Sequence, residues 1–169
     1  MTPHGTGSPP TAPALGLAGH LLGMATTTAE IVRTIRGAGR HKCDVDGVTF
    51  VVRDGDHCRY VDEDAVGPLW KGSSFPLTMC ITGHAMLAAK TIVVPDIYRD
   101  PRIPHELYRP TFVKSLAAVP IGTPKAIACV GFYWGKVSAG NASCIAFLEA
   151  LAAAAAAPLQ ACMAREAGA

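Results

Sequence analysis

Cys80 and His84 stand four residues apart in the run Thr78-Met79-Cys80-Ile81-Thr82-Gly83-His84-Ala85. On a helix that spacing puts both side chains on one face. A cysteine at a helix start has its thiolate favoured by the backbone dipole, and a thiolate beside an imidazole is the outline of an activated nucleophile. No third group that would orient His84 is evident, so a packed thiol next to a pocket-facing histidine fits the same residues. Asp96 is a second candidate. It follows an extended run and Pro95, where a carboxylate can orient a ligand or hold the loop by accepting backbone N–H groups. The remaining carboxylate groups, Asp54/Asp56 and Asp62/Glu63/Asp64, lie at strand ends, where turn formation and solvation account for them.

Aromatic residues gather around the same stretch: Trp70, Phe75, Tyr98, Tyr108, Phe112, Tyr133 and Trp134. Aromatic walls with a few polar groups are what small-molecule pockets are built from. Neighbours on a strand face opposite ways, so Phe112 and one of Tyr133/Trp134 are expected in the core, with Tyr98 and Tyr108 as pocket or lid. Arg99, Arg102, Arg109 and Lys114 suit an anionic ligand, or ion pairs with Asp96, Asp100 and Glu106 that merely pin the loop.

These residues need a scaffold. Thr27 with Glu30 reads as a capping box, followed by the apolar stripe Ile31, Val32, Ile35, with Gly37 and Gly39 expected to end the helix. Gly47–Arg53 is β-branched and aromatic, Asp54-Gly55 is a tight-turn signal, and His57–Asp62 is the return strand of a hairpin. Asp62-Glu63-Asp64 is expected to leave the sheet. Phe75–Leu77 reads as a short strand, and Thr78 as the cap of a helix over Cys80–Lys90. Gly83 would weaken that helix by roughly 1 kcal/mol relative to alanine, which suggests a close contact there. Thr91–Val94 and Ser115–Ile121 bracket a loop broken by Pro95, Pro101, Pro104 and Pro110, with a turn of helix near His105–Tyr108. A loop of that length inside a compact domain is usually functional, and it is expected to fold over an enclosed space. Ala126–Tyr133 completes a second hairpin. From Asn141 an alanine-rich helix runs to about Arg165, with Leu148, Leu151, Ala155, Leu159 and Cys162 as a seam for another helix and Pro158 as a kink or end. The order gives an α+β domain, an antiparallel sheet with helices packed on its faces.

Composition narrows the classes. The 169 residues are half hydrophobic and 17% charged, enough for one domain with a core. A net charge of +2 implies no nucleic-acid footprint. Arg33, Arg36 and Arg40 share a helix face, read as solvated. The six cysteines (Cys43, Cys58, Cys80, Cys129, Cys144, Cys162) are scattered, without close-spaced Cys/His pairs, so neither zinc nor another metal is expected and all six thiols are expected reduced in a cytoplasmic protein. Neither Ala12–Met24 nor Leu148–Met163 reads as membrane-spanning. Residues 1–24, rich in Pro, Gly, Ser and Thr over Met1–Pro13, are read as a flexible tail and 25–165 as the single domain.

The stretch from Ala29 to Ala164 resembles the GAF family, in particular the GAF domains of bacterial sensor kinases. The resemblance is carried by Asp46-Gly47, Arg53-Asp54-Gly55, Tyr60-Val61-Asp62-Glu63-Asp64, Leu69-Trp70-Lys71-Gly72, Phe75-Pro76 and Cys80-Ile81 with Gly83. It continues through Pro95-Asp96-Ile97-Tyr98, Asp100-Pro101-Arg102-Ile103-Pro104 and Tyr108-Arg109-Pro110-Thr111-Phe112-Val113 to Ser115-Leu116. It implies a GAF-like, PAS-related fold with adjacent N- and C-terminal helices. The implied role is a two-component-type signalling module that binds an unidentified small molecule, dimerises through its terminal helices, and reports to a histidine kinase or other signalling protein. The expected ligand site is Trp70, Phe75, Cys80, His84, Asp96, Tyr98, Tyr108, Lys114, Ser115 and Tyr133. No cofactor is expected. Bilin-binding relatives attach their chromophore through a loop cysteine followed by histidine; here Pro104 precedes His105. The cyclic-nucleotide pattern of phosphodiesterase GAF domains is not found. Free methionine-R-sulfoxide reductases share the fold and use loop cysteines; Cys80 lies in roughly the right region, without the partner cysteines in the loop. A thiol-based reductase using Cys80 and His84, and a dimerisation or adaptor module that binds no ligand, are the alternatives.

Overall fold

The structure, a computed structural model, describes residues 13–169. Two helices, α1 (Leu17–Met24) and α2 (Thr28–Cys43), precede the hairpin β1 (Gly47–Asp54) and β2 (His57–Ala65). Then come β3 (Ser74–Pro76), a 3-10 turn, α3 (Ile81–Ala88), β4 (Ile92–Val94), a second 3-10 turn, α4 (His105–Tyr108), β5 (Ser115–Ile121), β6 (Ala128–Trp134) and α5 (Ala142–Ala167). All strand pairings are antiparallel, in the order β3-β2-β1-β6-β5-β4.

The two faces of the sheet bury different partners. Val48, Phe50 and Val52 of β1, Val119 and Ile121 of β5, and Val130, Phe132 and Trp134 of β6 pack with α1, α2 and α5. The alternate residues Val51, Leu116, Ala118, Cys129 and Tyr133 face α3, α4 and the loops. Tyr133 and Trp134 are therefore both core, on opposite faces, while Phe112 is half-buried at the loop side.

Thr27 caps α2 in the expected box, its hydroxyl accepting from Glu30 N–H at 3.2 Å and Glu30 accepting from Thr27 N–H. The helix does not stop at Gly37 or Gly39. Gly39 is instead a point of close approach: a Cβ there would lie 2.7 Å from the Phe132 ring. The helix ends at Asp44, which takes the left-handed conformation. Nor does β2 stop at Asp62. It continues to Ala65 through a bulge at Val61, because Asp62 and Asp64 meet Arg36 and Arg40 of α2 at 2.9 and 3.0 Å. The arginine face read as solvated is a helix-to-strand clasp.

Two further expectations change and one narrows. Residues Leu17–Met24, read as part of a flexible tail, form α1, whose Leu22 is fully buried against the helical layer; residues 1–12 of that tail lie outside the described residues. Pro158 sits inside α5 without ending it. An interior proline costs about 3 kcal/mol, and the fully buried Leu159 and Cys162 just beyond it offset that cost. The seam of α5 packs within the chain, on α1, α2 and the sheet, so it is not free for a second copy. By length and composition α5 could cross a bilayer, but that same seam is the core of the helical face.

The thiols are not all reduced. A disulfide joins Cys43, at the end of α2, to Cys144, in the first turn of α5. Sequence spacing could not reveal it, since 101 residues separate the pair.

Candidate functional site

The opposite face of the sheet carries an aromatic chamber that its own rings fill. Cys58 and Tyr60 are two residues apart on β2 and so point the same way. Trp70 arrives on the loop after β2, placed there by Glu63. The Glu63 carboxylate accepts the backbone N–H groups of Leu69, Trp70 and Lys71 at 3.0, 2.7 and 3.0 Å. Trp70 meets Tyr60 edge-on at 5.8 Å between ring centres, Tyr133 at 5.6 Å and Tyr108 at 4.7 Å. Phe75 closes the Tyr60 side at 5.7 Å. Tyr133 lies over Gly131, where a Cβ would fall 2.1 Å from the phenol oxygen, and its hydroxyl pairs with Thr49 at 2.9 Å. Tyr60 pairs with Thr82 at 3.0 Å. Burial holds the phenols of Tyr60, Tyr108 and Tyr133 above the usual tyrosine range.

The floor of the chamber is sulfur. Cys80 is the N-cap residue of α3, not Thr78, which lies in the preceding 3-10 turn. Gly83 lets this helix settle onto that turn: a Cβ there would meet the Leu77 carbonyl at 2.0 Å, the close contact its presence suggested. The Cys80 sulfur lies 2.9 Å from that of Cys58 and 3.6 Å from the Thr82 hydroxyl. The hydrogen bond from Cys58 pulls the Cys80 thiol down to about 7, against its burial, with help from Thr82 and the Gly83 backbone N–H. The same bond, then burial, pushes Cys58 up. The group that polarises Cys80 is thus a second thiol. His84 is half-buried one turn on, and its backbone N–H simply donates to the Cys80 carbonyl at 3.0 Å.

The loop over the chamber is pinned mostly by its own groups. Asp96 accepts from Tyr98 N–H at 3.0 Å and sits 3.6 Å from Arg99. Ile97 N–H donates to the Lys114 carbonyl at 3.0 Å, and Lys114 N–H to that of Trp134 at 2.8 Å. The His105 ring bonds the carbonyls of Ile97 and Asp100 at 3.0 and 3.2 Å. Arg102 clamps Asp100 and Arg109 pairs with Glu106. Of the two roles weighed for Asp96 and the arginines, the contacts present are those that fix the loop.

Five of the expected site residues converge: Trp70, Phe75, Cys80, Tyr108 and Tyr133. Four do not. Tyr98 is exposed, with the Lys114 ammonium 5.5 Å over its ring. Asp96 is spent on the turn, and Ser115 donates to the Lys136 carbonyl at 2.5 Å. The space the loop was expected to enclose is occupied by rings, and the clearest hollows among the described residues lie elsewhere, the largest, of about 960 Å³, between α1 and α2. Sequence reasoning missed Cys58, Tyr60, Thr82, Thr49 and Glu63. Strand alternation links Cys58 to Tyr60 and could have placed them on one face; nothing local says which face.

A family model for the GAF domain matches residues 27–159. Among solved structures, the chain is similar to a free methionine-R-sulfoxide reductase from Neisseria meningitidis in complex with its substrate (17% identity, TM-score 0.75, covering 89% of each chain). It is also similar to the GAF domain of a phosphoenolpyruvate-protein phosphotransferase from Coxiella burnetii (14% identity, TM-score 0.76, covering 90% of this chain and 94% of that one). A third is the GAF domain of a two-component sensor histidine kinase from Bacillus halodurans (16% identity, TM-score 0.72, covering 86% and 100%). At such identities the likeness speaks for the fold alone. No curated protein matches. With the family model spanning most of the chain and the sheet, helices and loop arranged as described, this protein belongs to the GAF domain family.

Proposed function

We propose that the chain is a small-molecule-binding sensory and regulatory domain of a bacterial signal-transduction system, with its ligand site in the aromatic chamber. The observation that carries this is the Tyr60–Trp70–Tyr108–Tyr133 cluster, in which two of the four rings ride on non-strand segments. A planar or apolar ligand would take the place of Trp70 and Tyr108 while the sheet holds Tyr60 and Tyr133. Occupancy then reaches the other face along β6. Tyr133 lines the chamber, and the indole N–H of its neighbour Trp134 donates to the Cys43 carbonyl at the end of α2 at 3.0 Å. The ligand acts by favouring one arrangement of α1, α2 and α5 over another. A histidine kinase or another cytoplasmic signalling protein would read that shift. Homodimerisation, part of the same reading, would use α1, where Leu17, Leu21 and Met24 stand exposed, since the α5 seam is consumed internally.

Thermal melts against a metabolite library, with mass spectrometry of whatever co-purifies, test the reading. A bound ligand should raise the midpoint in proportion to the logarithm of its concentration. A library without one such compound, and a protein that purifies empty, would remove it. Light scattering at micromolar concentration tests the dimer.

A thiol-based reductase remains the second reading, favoured by the Cys58–Cys80 contact. In it Cys80 would be the nucleophile and Cys58, in place of His84, its partner. Absence of turnover on free methionine-R-sulfoxide with a dithiol reductant would dispose of it.

A further inference from the structure

Six cysteines divide into three kinds: the cross-linked Cys43–Cys144 pair, the isolated buried thiols Cys129 and Cys162, and the facing thiols Cys58 and Cys80. Only the last pair has two reduced sulfurs in contact. Cys58 comes from the start of β2 and Cys80 from a helix start, so their approach is a product of the fold rather than of neighbouring sequence.

We propose that Cys58 and Cys80 form a redox-active dithiol, closed to a disulfide by an oxidant of the hydroperoxide class and reopened by a dithiol reductant. It needs no ligand in the chamber and no sulfoxide substrate. As a thiol, Cys80 can donate to Cys58 or to the Pro76 carbonyl at 3.7 Å. As a thiolate it accepts from Cys58 and Thr82. The thiolate attacks one peroxide oxygen, the O–O bond breaks, and the other oxygen takes a proton and leaves as water from hydrogen peroxide or as an alcohol from an alkyl hydroperoxide, which leaves a sulfenic acid on Cys80. Cys58 sulfur then attacks the Cys80 sulfur. The S–O bond breaks, a water departs with the Cys58 proton, and the S–S bond forms. Two thiols lose two electrons and two protons, and one hydroperoxide group is reduced by the same two electrons. The sulfurs must close from 2.9 Å to about 2.05 Å.

Closure has a consequence for the chamber. The thiolate is an acceptor for the Thr82 hydroxyl, whose oxygen pairs with Tyr60 at 3.0 Å. Tyr60 in turn meets Trp70 and Phe75. Oxidation withdraws the acceptor at the base of this chain, so the redox state of two sulfurs is passed to the ring that Glu63 holds in place.

The test uses the full chain with the Cys43–Cys144 bond intact. Equimolar hydrogen peroxide should produce a Cys58–Cys80 cross-linked peptide in a non-reducing mass-spectrometric map, reversed by dithiothreitol. Cys80 should react at least about tenfold faster than Cys129 or Cys162, as thiolate character dictates. The rate should rise through pH about 7. The titratable groups facing Cys80 are Cys58 and Tyr60 from β2, Cys129 and Tyr133 from β6, and Tyr108 from α4, all held protonated in that range. Cys80→Ser should leave Cys58 unreactive. Cys58→Ser should stop the reaction at a Cys80 sulfenic acid trapped by a 1,3-diketone. A wild-type map without the cross-link, or one in which it appears only as fast as the protein globally unfolds, would overturn the proposal without recourse to any variant. A sulfoxide assay on the same sample separates this outcome from the reductase reading.

Discussion

The helical face and the chamber face of the sheet are both well buried, yet they are held by different means. On the helical face, α2 and α5 present long apolar stripes to regularly alternating strand residues, and the Cys43–Cys144 disulfide ties the two helices at one end. On the chamber face, the α-helices among the described residues are α3 and α4, and both are short. What fixes that side is a set of single polar clamps: Glu63 on three amides, Thr49 on Tyr133, Thr82 on Tyr60, and Asp96 and His105 within the loop. A face built on stripes loses stability in increments when trimmed. A face built on clamps can be released locally, which is what a ligand-responsive or redox-responsive region requires.

The largest effects should come from truncating one ring on each face. Phe132→Ala, under α2, should cost about 3–5 kcal/mol in urea denaturation, the usual range for a buried phenylalanine. Trp70→Ala should cost a similar amount, but there added indole should raise the melting midpoint by refilling the hole. A cost below about 1 kcal/mol for Trp70→Ala would mean that its ring is not part of the packed interior, and the two faces would no longer be alike in burial.

Next is the cross-link. Cys144→Ser opens a loop spanning 101 positions and should lower stability under oxidising conditions by about 2–5 kcal/mol. Dithiothreitol on the wild type should reproduce the loss and leave Cys144→Ser unmoved. Equal sensitivity of both would place the important disulfide elsewhere.

Glu63→Gln should have a smaller but more local effect. It replaces charge-assisted bonds to three amides and should cost about 1–3 kcal/mol. Hydrogen exchange should accelerate first at Leu69–Lys71 while α2 and α5 stay protected. Uniform acceleration would contradict the idea of an independently releasable chamber. The smallest change is Arg36→Ala, which removes half-exposed pairs to Asp62 and Asp64; below about 1 kcal/mol is expected, read by the same denaturation and weakening with salt.

Much of this was legible beforehand because it is local. The Thr27–Glu30 box, the Asp54-Gly55 turn and the β-branched runs each follow from the preferences of a few adjacent residues. The tight fit of Gly83 was signalled by its cost in a helix. Half of the chamber could be read in the same way, since Trp70, Phe75, Cys80, Tyr108 and Tyr133 announce themselves by type. Gly39 shows the limit: alone it reads as a helix stop, and only the Phe132 ring pressing on it explains why the helix passes through. Asp62 and Asp64 read as solvated until Arg36 and Arg40 come alongside.

The sequence by itself settled the α+β class, the family and the element order from α2 onward, because these rest on periodicity, capping and motifs written within short stretches of chain. Tertiary structure alone decided which thiol faces which. Cys58 meets Cys80 and Cys43 meets Cys144 only after strand register and helix packing have fixed positions that are distant along the chain, and no spacing rule reaches across those distances.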